Sequence, residues 1–368
     1  MLRAPASVVL TLALTALSAR AASPEPLPAD EAITVAFAQQ GGVREAFIVV
    51  AAGEDELSGI PLGTADALAA FAALDETGLA ALLRDGARRP LATSDLLPVI
   101  ESAQNIAGGA NYVEHGEEVD VPAPFLFPKV AKPTAWRSSL AAQPGWLLDY
   151  EVELAVVFDR DIATAADLDA ARAGVFLIND FTERAQLTME ADLSVPDVGG
   201  GFANAKGKPG FLPTGPFLVI PRDWRGFVRD CEIRLYVNAG ERQRAKGGEM
   251  IWTPDELARR ALALGPEPRF THERRALALA PNGIPRGTAI LTGTPGGVVF
   301  GTPSTGFIAS NAAWWAASFS FLDADVETHV KQRWVEELRA GGAFLRAGDL
   351  VVAEANGLGA IVTSIVEP

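Results

Sequence analysis

The chain has 368 residues, 49% of them hydrophobic and 21% charged, which is globular composition and enough for one large domain or two of ordinary size. Its formal charge of -15 argues against nucleic acid and against an anionic membrane surface as partners. The one cysteine, Cys231, excludes an intrachain disulfide and a cysteine-rich zinc site, and His115, His272 and His329 form no HExxH cluster.

Residues 1–21 read as an export signal. Met1-Leu2-Arg3 is a short basic start, residues 8–17 are apolar, and Ser18-Ala19-Arg20-Ala21 ends in the small-x-small pattern of a cleavage site. An apolar run of that length is too short to span a bilayer, so cleavage after Ala21 and a periplasmic location are expected, with an uncleaved anchor as the other reading. Ser23-Pro24-Glu25-Pro26-Leu27-Pro28 then reads as a stiff lead-in. A small N-terminal domain over 22–98 follows, with strands at 33–37 and 44–51 joined at Gly41-Gly42 and helices at 64–74 and 76–83. It carries no cluster of ligand-type residues, which makes it a structural platform for the rest, 99–368.

Between 106 and 118 the character changes. Gly108-Gly109 implies close backbone approach, and the segment Asn111-Tyr112-Val113-Glu114-His115-Gly116-Glu117-Glu118 follows. In a helical turn His115 and Glu118 share a face, where the carboxylate fixes the imidazole tautomer and leaves the other nitrogen free to take a proton from water. A solvated surface histidine is the alternative. In Asp149-Tyr150-Glu151-Val152-Glu153-Leu154, strand alternation turns Tyr150, Val152, Leu154 and Val156 one way and Glu151 and Glu153 the other. Those two carboxylates form either a solvated face or part of a hard-cation site. The latter needs further oxygen ligands, and Asp180, after the apolar run 174–179, is the first candidate.

Gly199-Gly200-Gly201 reads as a mobile loop and matches no nucleotide-binding pattern. A helix is expected at 254–264. Two insertions, at about 266–285 and 300–344, enlarge the chain. The first carries His272-Glu273-Arg274-Arg275, read as a solvated charged turn. The second carries Trp314-Trp315, Phe319, Phe321 and an amphipathic helix at 327–338. It is either a lid or partner surface, or an element whose aromatics pack onto its own body.

Several of these stretches together carry a resemblance. Asn111-Tyr112-x-x-His115-x-x-Glu118, Lys132-Pro133, Asp149-Tyr150-Glu151-x-Glu153-Leu154, Asn179-Asp180-x-x-x-Arg184, Lys206-Gly207 through Gly215-Pro216, Thr292-Gly293-Thr294-Pro295-Gly296-Gly297-Val298 and Gly348-Asp349 occur in this order. The series resembles the fumarylacetoacetate hydrolase superfamily, in its C-terminal catalytic type, over about 97–299 and again over 345–366. The resemblance implies an α+β, strand-rich fold, a mixed β-roll preceded by a small N-terminal domain and commonly dimeric. It implies Glu151, Glu153 and Asp180 as ligands of a divalent ion, Mg2+ or Mn2+ with Ca2+ as a further option. His115 and Glu118 become the water-activating pair, Lys206 and Arg184 catalytic cations, and Tyr112, Gln186 and Thr294 substrate-binding residues.

Departures from the family pattern are specific. Ala185 stands where an acid is usual, Gln186 comes one residue early, and Glu183 replaces a small residue. Lys208-Pro209-Gly210 replaces an aromatic and acidic pair, and no aspartate precedes His115 at the spacing of a fourth ligand. The function implied is a metal-dependent hydrolase cleaving a carbon–carbon bond in an acylpyruvate-like or fumarylacetoacetate-like 1,3-dioxo acid. The alternatives are a decarboxylase, hydratase or isomerase of 2-oxo acids on the same site, or an inactive periplasmic binding protein.

Overall fold

The strand Val152–Phe158 lies inside the largest sheet of the computed structural model, which describes residues 26–74, 76–192 and 201–368. Every residue of that strand is buried. Leu154, Val156 and Phe158 belong to one core cluster and Ala155 and Val157 to another, so the period-two alternation serves two apolar layers. A strand buried on both faces reads as a near-continuous apolar run, which is how this stretch is written.

Ten strands make up the sheet. From one edge they run Arg89–Ala92, Glu56–Pro61, Val43–Ala52, Ala32–Gln40, Leu218–Pro221, Ala173–Asn179, Val152–Phe158, Ile290–Leu291, Gln104–Gly109 and Phe125–Val130. All neighbours are antiparallel except Ile290–Leu291 with Gln104–Gly109. A five-stranded sheet, ordered Gly240–Lys246, Glu232–Val237, Leu350–Ala355, Gly359–Val366 and Arg137–Ala141, packs on one face through Ile233, Leu235, Val352 and Ile361. The α+β, strand-rich expectation is met.

The expected N-terminal hairpin forms, with Gly41 at φ 57° and Gly42 at φ 84°, the left-handed pair that a two-residue hairpin turn requires. The two expected helices lie at Ala67–Ala73 and Glu76–Asp85. Strands Glu56–Pro61 and Arg89–Ala92 were not anticipated, being short and interrupted by glycine, proline and charge. Ala32–Gln40 pairs with Leu218–Pro221, so the N-terminal strands continue the sheet that carries the acidic residues.

The first insertion is a small hairpin, Phe270–His272 with Arg275–Leu277, turned at Glu273 and Arg274, both with positive φ. The second holds two helices, Thr305–Ala317 and Val326–Gly341, where one was expected. The expected helix at 254–264 is Pro254–Ala263, capped by Thr253. The export segment 1–21 and the beginning of the lead-in lie outside the described residues, as do Gly199 and Gly200. Gly201 opens the short helix Gly201–Ala205. Among the described residues no helix is long and apolar enough to cross a membrane.

Candidate metal centre and active site

Antiparallel register brings the three acidic residues together. Glu153 sits opposite Ile178 and Val152 opposite Asn179, so Asp180 emerges beside Glu151 at the sheet's end. The Asp180 N–H donates to the Glu151 carbonyl at 2.8 Å, and the Glu151 N–H donates to the Asn179 side-chain oxygen at 2.9 Å. Glu151, Glu153 and Asp180 each offer an oxygen within 4.8 Å of the others. They are 5%, 1% and 0% exposed, which excludes the solvated-face reading.

Buried carboxylates at this spacing repel one another, and three buried cations answer them. Lys206 Nζ donates to Glu151 Oε2 at 2.7 Å and to Asp180 Oδ2 at 3.2 Å. Arg184 spans Glu151 Oε1 (2.6 Å) and Asp149 Oδ2 (2.9 Å). Lys129, fully buried, donates to Asp180 Oδ1 at 2.5 Å and to the carbonyls of Lys206 and Phe211. Burial raises the Glu151 pKa, but Lys206 and Arg184 outweigh it and hold the carboxyl down to about 2. Burial likewise opposes the Lys206 charge, and Asp180 and Glu151 overcome it, so its ammonium persists.

Glu153 is treated differently. It accepts from the Gly293 N–H at 2.7 Å, and no lysine or arginine among the described residues pairs with it. Burial, then Asp180 and Glu151, push its pKa well above the usual carboxylate range. Burial pushes the Lys129 pKa down against the pull of Asp180, so Lys206 and Arg184 are the firmer counter-charges, and Glu153, with no cationic partner among the described residues, is the carboxyl driven toward its protonated form. An all-oxygen set with one uncompensated carboxylate fits a hard divalent cation, so Glu151, Glu153 and Asp180 could hold one.

The expected helical turn at 112–118 is the helix Val113–Glu118. Its His115, 6% exposed, places Nδ1 3.5 Å from Glu118 Oε2. The Gly297 N–H donates to the other Glu118 oxygen at 2.8 Å. That backbone has φ 103°, and a Cβ there would lie 2.0 Å from the Arg242 carbonyl, so glycine is required for the loop to approach Glu118. His115, Glu151, Arg184, Lys206 and Thr294 line one cavity of about 30 Å³, closed on one side by Phe300.

Two expected substrate contacts lie off this cavity. Tyr112 is packed in the core, 3% exposed, with no hydrogen-bond partner for its hydroxyl among the described residues, and is not on the cavity wall. Preceding the helix in extended conformation, it points inward as the core anchor of that turn. Gln186 donates to Glu190 and accepts from Lys208 Nζ at 2.5 Å, away from the cavity. Each helical residue rotates the side chain by about 100°, so a one-residue shift is enough to turn it aside. Thr294 does reach the wall, but its hydroxyl donates to the Val152 carbonyl and accepts from Gln243.

Other residues acquire roles that their types did not disclose. Glu183 caps the helix Arg184–Glu190, its carboxylate accepting from the N–H groups of Leu147, Ala185 and Gln186. Asn111 ties the site loop to the Trp252 backbone, donating to the Thr292 and Trp252 carbonyls. Gln243 joins the five-stranded sheet to the same loop. Lys132 is exposed, whereas Lys129, three residues earlier, is buried; its signal was a lone charge after the apolar run Phe125-Leu126-Phe127-Pro128. His272, read as a solvated turn, is half-buried, and its ring would meet a Cβ on Gly207, next to Lys206.

Comparisons with known proteins agree with this geometry. A family described as "Fumarylacetoacetate (FAA) hydrolase C-terminal" matches residues 104–366. An uncharacterized protein of Archaeoglobus fulgidus is 32% identical over 145 residues, 38% of this chain; the match spans about half, 54%, of that relative's length. Among solved structures, 5-carboxymethyl-2-hydroxymuconate delta-isomerase from Mycobacterium smegmatis aligns with TM-score 0.57 and 19% identity over 91% of this chain and 99% of its own. A fumarylacetoacetate hydrolase from Exiguobacterium antarcticum gives 0.57 and 19% over 91% and 100%. Maleylpyruvate hydrolase from Sphingobium sp. SYK-6, in complex with manganese (II) ion and pyruvate, gives 0.55 and 18% over 90% and 99%. At these identities the solved structures establish the fold alone. The family match covers well over half of the chain, and with it the acidic cluster and the flanking loop, so the chain belongs to the fumarylacetoacetate hydrolase family.

Proposed function

We propose that this protein is a metal-dependent hydrolase that cleaves a carbon–carbon bond in an acylpyruvate-like or fumarylacetoacetate-like 1,3-dioxo acid, exported to a bacterial periplasm and working as a homodimer. The observation that carries the reaction is His115, backed by Glu118, on the same cavity wall as Glu151, Lys206 and Arg184. Export rests on the pattern of residues 1–21, and the homodimer on the family resemblance.

Glu151, Glu153 and Asp180 would hold Mg2+ or Mn2+, which when bound would supply Lewis-acid polarisation of the substrate's oxygens. A structural neighbour in complex with manganese and pyruvate supports that choice of ion. Burial and its neighbouring carboxylates favour the protonated form of Glu153, so a doubly charged ion bound there in exchange for that proton would leave the site with excess positive charge, which suits an anionic oxo acid. His115, with Nδ1–H turned to Glu118, keeps Nε2 free to take a proton from water, a step worth about 10²- to 10⁴-fold. Water adds to the acyl carbonyl, the carbon–carbon bond breaks, and the electron pair passes to the departing 2-oxo acid as its enolate. Lys206, whose ammonium persists, donates hydrogen bonds to the oxygen on which that charge develops. The imidazolium then returns its proton to the carbanionic carbon.

The test is turnover of a panel of acylpyruvates and oxaloacetate with and without Mg2+ or Mn2+, by wild type and His115→Ala. The expected result is metal-dependent release of carboxylic acid and pyruvate, lost by at least about 10²-fold in His115→Ala while metal affinity survives. Decarboxylation or isomerisation that persists in His115→Ala would instead assign the lyase or isomerase alternative. No turnover of any dioxo acid would assign the binding protein.

A further inference from the structure

The 30 Å³ cavity beside the carboxylates holds about one water, too little for an acylpyruvate, and two of its walls, Leu187 and Phe300, are shared with a much larger space. That second cavity measures about 440 Å³ and lies between the helix Arg184–Glu190 and the paired helices of the 300–344 insertion. Its sides are mostly apolar, with Ile308, Ala312, Val330 and Trp334 among them. Of the charged residues on the rim, Lys331 pairs with Glu327 at 2.7 Å and donates to the Ala191 carbonyl at 3.1 Å, and Asp192 is the third. Such a size and lining fall within the roughly 300–1,000 Å³ range of small-molecule sites.

The two cavities are built as neighbours. Arg184 opens the helix and faces the carboxylates, while Leu187 and Thr188, one turn later, face the apolar space. Phe300 stands between them, its N–H donating to Asp149 Oδ2 and its ring 5.2 Å from the Arg184 guanidinium. Trp334 Nε1–H donates to the Gly301 carbonyl and its ring meets Phe307 edge-on at 5.0 Å, which fixes the far wall. The apolar space meets the polar, anion-accepting one across the Leu187 and Phe300 side chains alone, so displacement of those two would join a place for an oxo-acid head to one for an apolar tail.

Resting on the hydrolase reading above, we propose that this groove is the acyl-side subsite and that the substrate is a dioxo acid with a medium-length alkyl or aryl acyl group. The insertion, on this account, sets substrate choice by supplying the groove's outer wall.

The experiment compares acetylpyruvate, hexanoylpyruvate and octanoylpyruvate with the full chain loaded with Mn2+, reading kcat/KM by turnover and Kd by calorimetry. Burial of methylenes in the groove predicts a gain of roughly two- to fourfold per added carbon until the groove is full. Ala312→Trp, which fills the groove, and Ile308→Asp, which places a charge on its wall, are each expected to flatten that dependence. A length dependence that is absent in wild type, or that persists in both variants, overturns the subsite. If no dioxo acid is turned over, the hydrolase reading fails, while the calorimetric trend with tail length and its loss in the variants still decide whether the groove binds an apolar tail.

Discussion

Glu153 has the most consequential surroundings of any single residue here. With burial and two neighbouring carboxylates against it and no lysine or arginine among the described residues paired with it, its proton is held above the ordinary value of 4.5. A raised carboxyl pKa stabilises the folded chain fully below the unfolded value and loses that contribution as pH rises through the folded one. Glu151, held down to about 2, behaves oppositely, its contribution present above 4.5 and lost only as pH falls towards 2. The metal-free protein is therefore expected to lose Tm as pH climbs from mildly acid to neutral, and added Mn2+ to raise Tm by an increasing margin over that span. Metal binding should release a proton, visible by calorimetry in buffers of different ionisation heat. Glu153→Gln should weaken metal binding by more than about 10-fold, since outer-shell changes alone cost 10- to 100-fold, and should abolish the proton release. Unchanged metal affinity in that variant would remove Glu153 from the ligand set.

At the scale of elements, the short helix Arg184–Glu190 does more than its seven residues announce. It presents Arg184 to the carboxylates and Leu187 to two cavities, and Glu183 holds its first turn. In sequence, Glu183 reads as unwelcome charge beside Asp180. In the fold it is 4% exposed and accepts three backbone N–H groups, one of them from Leu147 across the loop. Removing a cap costs about 1 kcal/mol, and orphaning a buried donor about 1–3 more, so Glu183→Ala should lose about 2–4 kcal/mol. Urea melts with an unchanged m value would check this. Because the helix carries Arg184, the variant should also lower kcat/KM. A loss below about 0.5 kcal/mol would mean that the cap is idle.

For the whole molecule, the question is whether the first hundred residues stand apart. Ala32–Gln40 is hydrogen-bonded to Leu218–Pro221, and its Val35 and Phe37 share a core cluster with Ala155, Val157 and Phe176. Removing residues 26–98 would expose a long sheet edge and strip that cluster of one side. A 99–368 fragment is thus expected to aggregate or to melt without a cooperative transition, by circular dichroism and light scattering. A fragment that melts cooperatively and binds Mn2+ as the full chain does would establish that 99–368 folds independently of the N-terminal strands.

Some of this architecture was legible residue by residue. Alternation in 150–158 marked a strand, the Gly41-Gly42 pair marked its hairpin, and the spacing of His115 and Glu118 marked a shared helical face, because each signal is local and obeys a fixed period. The ordered motifs from Asn111 to Val298 pointed to the family and to three acidic residues now found within 4.8 Å of one another. Other features depended on partners distant in the chain. Lys129 meets Asp180 across 51 positions, Gly297 reaches Glu118 across 179, and Tyr112 faces the core rather than the cavity. Composition and periodicity dictate what a segment does along its own axis. Which buried charge pairs with which, and which carboxylate is left uncompensated for an ion, is decided only when strand register brings separate segments together.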